Sequence, residues 1–145
     1  MSHTPTEQAN LDLVRRFHAA EAARDWDAYF ACLAPGFVLH FVGATVRGTG
    51  EFRLMVDQTL ATFSELRHTI LGIVADGSIV AFRWRFDAVV RATGKSVSWE
   101  GSHWMRIEDG LIAEDWNDAD SAEVQRQMGA AFEGWVGGSI EQTRP

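Results

Sequence analysis

The chain has 145 residues, 46% hydrophobic and 23% charged, a size and balance that suit a globular domain and exclude disordered, collagen-like and coiled-coil classes. Its 13 Lys plus Arg against 20 Asp plus Glu give a net charge of -7, which repels phosphate backbones and anionic bilayers and so argues against nucleic-acid or membrane partners. Cys32 is the only cysteine, which excludes an internal disulfide and a Cys-X-X-Cys pair, and no run approaches the roughly 20 apolar residues of a membrane helix; a cytoplasmic location is the expectation.

Thr4-Pro5-Thr6-Glu7 carries the grammar of a helix start, with Thr4 as N-cap, Pro5 in the first turn and Glu7 closing a capping box. Leu11, Val14, Phe17 and Ala20 then recur at helical spacing, with Asp12, Arg15, Arg16 and Glu21 on other faces. Asp25 caps a second short helix through Trp26, Tyr29, Phe30 and Leu33, and Ala34-Pro35-Gly36 breaks it. Phe37–Val42 reads as a buried strand, followed by a glycine-rich connection through Gly43, Gly48 and Gly50. A third helix is marked by Phe52, Met55, Val56, Thr59, Leu60 and Phe63, with Thr49 as candidate cap.

From Leu66 the period changes to that of strands, over Leu66–Ala75, Ser78–Ala92, Ser96–Glu108 and Leu111–Asn117. The Asp76-Gly77 and Asp109-Gly110 pairs between them are hairpin signals, because both central turn residues need positive φ, and they predict an antiparallel meander. Asp120-Ser121-Ala122-Glu123 opens a C-terminal helix carrying Val124, Gln127, Met128 and Ala131, which fades by Gly134–Gly138. The order predicts one α+β domain over residues 1–138, with helices on one face of a curved antiparallel sheet, and a polar tail over 139–145.

A bent sheet closed by helices encloses a cone, and the inward strand residues line it. Alternation separates Val80, Phe82, Trp84 and Phe86 from Ile79, Ala81, Arg83 and Arg85, without deciding which set faces in. Neither face is purely polar, so the outer sheet face is expected to meet a second copy in a homodimer. The six Trp and nine Phe against a single Tyr suit walls around a flat, hydrophobic small-molecule ligand.

Gly48-Thr49-Gly50, the strand Val80-Ala81-Phe82-Arg83-Trp84, the Thr93-Gly94-Lys95 turn and above all the stretch Arg106–Asp120 (RIEDGLIAEDWNDAD) resemble the SnoaL-like, polyketide-cyclase-like branch of the nuclear-transport-factor-2-like superfamily. The resemblance covers almost the whole chain and implies a cone-shaped, cystatin-like α+β barrel, with three N-terminal helices and a short C-terminal one. It implies cofactor-independent acid/base chemistry of cyclase, isomerase or lyase type on a polycyclic or aromatic carbonyl compound. The same cone also serves non-catalytic binding modules and relatives of epoxide hydrolase or hydroxylase type.

By this resemblance Asp120 is the general acid/base and His103 a pocket histidine near it. Desolvation at the mouth of an apolar cone raises a carboxyl pKa, whereas service as N-cap of the last helix lowers it, and the two readings of Asp120 oppose each other. His40 ends the first strand within reach of the same cavity, while His68 begins a strand and is expected to be exposed. No helical His-x-x-x-His or local cluster favours a metal, and none is expected. Arg83 is a candidate for gripping a substrate carboxylate or enolate, or else for pairing with Glu100 or Glu114 across strands. Together with Arg83, the residues Trp84, Trp99, Trp116, Phe41 and Glu114 make up the expected substrate-binding set. The absence of tyrosine from every strand removes the phenol donor of ketosteroid-isomerase-type sites, and an Asp-Arg-Asp arrangement has only an approximation in Arg83 with Asp118 or Asp120.

Overall fold

The computed structural model describes residues 2–41, 44–133 and 135. The expected end of the first strand at Val42, the connection at Gly43, and the fading helix and polar tail beyond Gly134 lie outside the described residues. The elements run α1 (Pro5–Ala22), α2 (Trp26–Ala31), β1 (Leu33–Phe41), β2 (Ala44–Arg47), α3 (Gly48–Thr62), β3 (Phe63–Asp76), β4 (Ile79–Val90), β5 (Ser96–Glu108), β6 (Leu111–Ala119) and α4 (Ser121–Met128). The strands form one curved, unclosed sheet in the order β2-β1-β6-β5-β4-β3, so the expected barrel is an open cone. Only the β1–β6 pair is parallel.

Local chemistry explains most boundaries. The Thr4 hydroxyl accepts from the Glu7 amide at 3.1 Å while the Glu7 carboxylate accepts from the Thr4 amide at 2.9 Å, the reciprocal capping box that starts α1. Asp25 caps α2 by accepting from the Ala28 amide at 3.2 Å. At Asp109-Gly110 both turn residues have positive φ, 51° and 74°. At the other hairpin the loop is Gly77-Ser78, with Asp76 still paired to Ile79, and only Gly77 has positive φ. Gln127 docks α4 on the sheet, since its side-chain amide donates to the Ser98 carbonyl at 2.7 Å and accepts from the Ser98 amide at 2.9 Å.

Four boundaries depart from the periodicity. Strand β1 begins at Leu33, and Pro35-Gly36 falls where its register against β6 skips from Leu33 to Val38, so the missing N–H of Pro35 breaks no ladder bond. The short strand β2 pairs with β1 within the segment expected to be a glycine-rich connection. Thr49 is not the cap; the N-cap position of α3 is Arg47, whose amide donates to the Glu51 carboxylate at 2.6 Å. Phe63, expected on the helix, ends it with extended backbone and enters the core at 1% exposure.

Burial decides which strand residues face in. On β4 the inward set is Val80, Phe82, Trp84, Phe86, Ala88 and Val90, against α1 residues such as Leu11, Val14 and Phe17. On β6 a bulge opposite Arg106-Ile107 makes Ala113 an extra residue and shifts the alternation. Asp115 is thereby buried at 4% exposure, and Glu114 and Trp116 go to the outer face.

Gly101 faces the Trp84 ring across the β4–β5 pair, and a Cβ there would collide with the Trp84 ring and the Asp118 carbonyl. Gly50, in the first turn of α3, has open space around it. Gly101→Ala is expected to cost about 1–3 kcal/mol by overpacking, whereas Gly50→Ala gains a few tenths to about 1 kcal/mol of helix propensity. Urea denaturation of the two variants measures both signs.

Candidate functional site

Between the helices and the concave sheet face lies a cavity of about 520 Å³. Phe41, Phe82, Trp84, Phe86 and Trp99 wall it from the sheet, and the α3 stripe of Met55, Val56, Thr59 and Leu60 roofs it. Into this apolar enclosure project His18 and Glu21 from α1, Arg24 from the turn after it, Tyr29 from α2, His68 from β3, His103 from β5, and Asp115 and Asn117 from β6.

His103 Nδ1 lies 2.9 Å from both oxygens of Asp115, and its ring stacks on Phe82 at 4.8 Å between centroids. A carboxylate only accepts hydrogen bonds, so the imidazole proton is held at Nδ1 and Nε2 remains as the basic nitrogen. His68 Nδ1 makes the same kind of contact with Glu21 Oε1 at 2.6 Å. Burial pushes the Glu21 carboxyl up, but the charge and hydrogen bond of His68, with His18 and Arg24 behind them, outweigh that and hold it below the ordinary carboxylate range. Burial pulls His18 below the usual imidazole value; Glu21 opposes that shift, and the nearby His68 and His103 add to it.

Burial pushes the Tyr29 hydroxyl well above the usual phenol range, and the negative charge of Glu21 and Asp115 adds to this. The phenol is therefore a permanent donor facing two carboxylates' field. Two polar atoms on cavity-lining residues, Trp84 Nε1 and Asn117 Oδ1, are buried and have no hydrogen-bond partner among the described residues. Nor do the described residues contain three or more His, Cys, Asp or Glu placed to hold a metal ion.

Of the residues singled out from sequence, His103, Trp84, Trp99 and Phe41 line the cavity. Asp120 does not: it is an exposed N-cap whose carboxylate accepts from the Glu123 amide at 3.1 Å. His40 lies on the outer face, 2.7 Å from Glu114 and stacked on Trp116, because strand alternation turns all three away from the cone. Arg83 is outside too, bound to Ser102 at 3.1 Å and Glu100 at 3.2 Å, and among the described residues no hydrogen bond or ion pair links it to Asp118 or Asp120. His68, expected to be exposed, is inside, and the phenol missing from the strands comes from helix α2 as Tyr29. Asp115 was hidden by the β6 bulge, and Glu21 by looking like an ordinary polar position of an amphipathic helix.

The pH dependence of folding follows from Glu21 and His18. Both pKa values fall on folding, so the unfolded chain binds more protons and stability drops on acidification. The loss begins near pH 6.5, where unfolded His18 protonates, and continues below about pH 4.5 through Glu21. Thermal unfolding against pH is expected to lose its upper step in His18→Gln and its lower step in Glu21→Gln.

No helix among the described residues is long and apolar enough to cross a membrane. Sequence comparison with curated proteins finds no significant match. Solved structures that share the fold include the following three. A candidate SnoaL-like polyketide cyclase from Jannaschia sp. CCS1 has TM-score 0.82 at 18% identity, covering 90% of this chain and 98% of that one. A candidate polyketide cyclase from Xanthomonas campestris pv. campestris has TM-score 0.76 at 22% identity, covering 86% and 99%. AclR, a candidate hydroxylase from Streptomyces galilaeus, has TM-score 0.75 at 21% identity, covering 85% and 97%. The family model described as SnoaL-like domain matches residues 14–115, and the chain belongs to that family.

Proposed function

We propose that the protein is an enzyme that removes a proton next to a carbonyl group of a flat, hydrophobic small molecule, using its own side chains as acid and base. The observation that carries this reading is the His103–Asp115 pair, a carboxylate at 4% exposure with both oxygens 2.9 Å from one imidazole nitrogen, inside an aromatic-walled cavity. Nε2 of His103 takes the proton while Asp115 stabilises the imidazolium that forms. The Tyr29 hydroxyl, held protonated by its burial, donates to the developing enolate oxygen. Phe41, Trp84 and Trp99 flank the ligand and exclude water, which strengthens each of these interactions. Cyclisation or isomerisation then depends on where the enolate carbon is delivered.

The outer sheet face supports a second part of the reading, a homodimer. Register places Val74, Ala81, Trp104, Trp116 and His40 in one row across five strands, with Trp104 52% and Val74 65% exposed. Such a row, rimmed by Arg83, Glu100, Arg106 and Glu108, suits an isologous contact with a second copy.

Loss of deuterium from [2,2-D2]-1-tetralone, followed by mass spectrometry, tests the chemistry. Wild type is expected to accelerate the exchange, and His103→Asn and Asp115→Asn each to lower it about 10²–10⁴-fold. If all three bind the ketone and none accelerates exchange, the cone is a binding module. Light scattering is expected to give about twice the chain mass for wild type and one chain mass for Trp104→Glu; a monomeric wild type rejects the dimer.

A further inference from the structure

The cavity holds a second imidazole–carboxylate pair that proton abstraction by His103 leaves unused. His68 Nδ1 is 2.6 Å from Glu21 Oε1, so its Nε2, like that of His103, is the nitrogen left for a ligand. The two pairs come from unrelated elements, Glu21 on α1 with His68 on β3, and Asp115 on β6 with His103 on β5. They flank one residue of β4, the strand between β3 and β5: the His68 and His103 rings lie 5.8 and 5.9 Å from the Trp84 ring, between centroids. A ligand lying along that indole therefore meets an imidazole at each end.

Charge supports two stations. Glu21, Asp115 and Asp118 bring three negative charges to the cavity lining and Arg24 one positive, so the imidazoles sit in a net negative surrounding. The groups facing His68 are Glu21, His18 and Arg24 from the α1 side and Trp84 and Phe86 from β4. His18 is biased toward the neutral form by burial, and among the three cavity imidazoles His68 and His103 are the two with a carboxylate at Nδ1.

We propose that His68 is a second catalytic residue, a general acid positioned by Glu21, which delivers a proton to an oxygen at the far end of the substrate from the carbon that His103 deprotonates. The inference rests on the reading of His103 as base and deepens it. The substrate then carries two carbonyl groups. His103 Nε2 takes the C–H proton, and the electron pair of that bond forms a C–C bond to the second carbonyl carbon. The π pair of that carbonyl moves to its oxygen, which takes the proton from His68 Nε2. The product is an isomer of the substrate, and nothing is oxidised or reduced. One proton then has to return from His103 to His68 before the next turnover.

The test compares two probes in the same protein samples. Exchange of [2,2-D2]-1-tetralone needs only the base, whereas ring closure of 2-methyl-2-(3-oxobutyl)cyclohexane-1,3-dione to its bicyclic ketol needs both stations. Wild type is expected to catalyse both. His68→Asn is expected to keep exchange within about 3-fold and to lose ketol formation at least about 100-fold. Glu21→Gln is expected to lower kcat for the ketol with KM nearly unchanged and to shift the acid limb of its pH profile, and Glu21→Asp to restore part of it. Retained exchange also reports that each variant is folded. Equal loss of both reactions in His68→Asn, or full ketol formation in it, overturns the second station, as does a wild type that exchanges without closing the ring. A wild type that does not exchange overturns the reading of His103, and the second station with it.

Discussion

A carboxylate removed from water must keep a partner or give up its charge, and Asp115 at 4% exposure sets this condition for the whole cone. Its partner His103 comes from the neighbouring strand, so the β5–β6 register has to put the two side chains on the same face. The bulge at Ala113 does that. Without the extra residue, alternation would turn Asp115 outward and bring Glu114 and Trp116 into the core. The stacking of His103 on Phe82 and the flat lie of Trp84 over Gly101 then complete the wall behind the pair. A one-residue irregularity in the last strand is thus what separates a sealed aromatic core from a cavity with an ionisable centre.

Much of the fold was legible because its signals are local. The Thr4 and Asp25 caps, the Asp109-Gly110 turn and the start of α4 each depend on a few adjacent residues, and each stands where the chain's own chemistry puts it. The strand β2 was not legible, because four residues at a sheet edge carry too little pattern to compete with flanking glycines. The site was legible only in part. His103 lines the cavity, whereas the strongest family stretch pointed to Asp120, five residues beyond Asp115, the carboxylate that enters it. Asp120 serves as the N-cap of α4 and stands exposed, outside the cavity. Glu21 and His68 stayed hidden for a different reason: 47 positions apart in the chain, they meet only when α1 lies across β3.

The excess of tryptophan has two destinations. Trp26, Trp84, Trp99 and Trp135 border the cavity, whereas Trp104 and Trp116 stand opposite each other on the outer face of the same sheet. Both faces of β5 and β6 therefore carry large apolar groups, which an antiparallel sheet with one solvated face does not need. The two faces are nonetheless chemically distinct. Outside, His40, Glu114 and Arg106 form half-buried pairs that solvent reaches, of small energetic worth. Inside, the same residue types are shielded, and their charge states respond to one another.

The cavity is costly for the fold to keep. Glu21, Asp115, three imidazoles and a phenol occupy space that aliphatic side chains would fill with more stability, and Trp84 Nε1 and Asn117 Oδ1 are left without partners. A module that only binds a greasy ligand gains little from two carboxylate-backed imidazoles, because hydrophobic contact supplies its affinity and one donor fixes its orientation. Proton transfer between different atoms of one substrate, by contrast, requires groups that change charge at both ends and a dry interval between them. Trp84 provides that interval, flanked by His68 and His103 on the strands either side of it. The polar groups are therefore better explained by chemistry at two positions than by recognition at one.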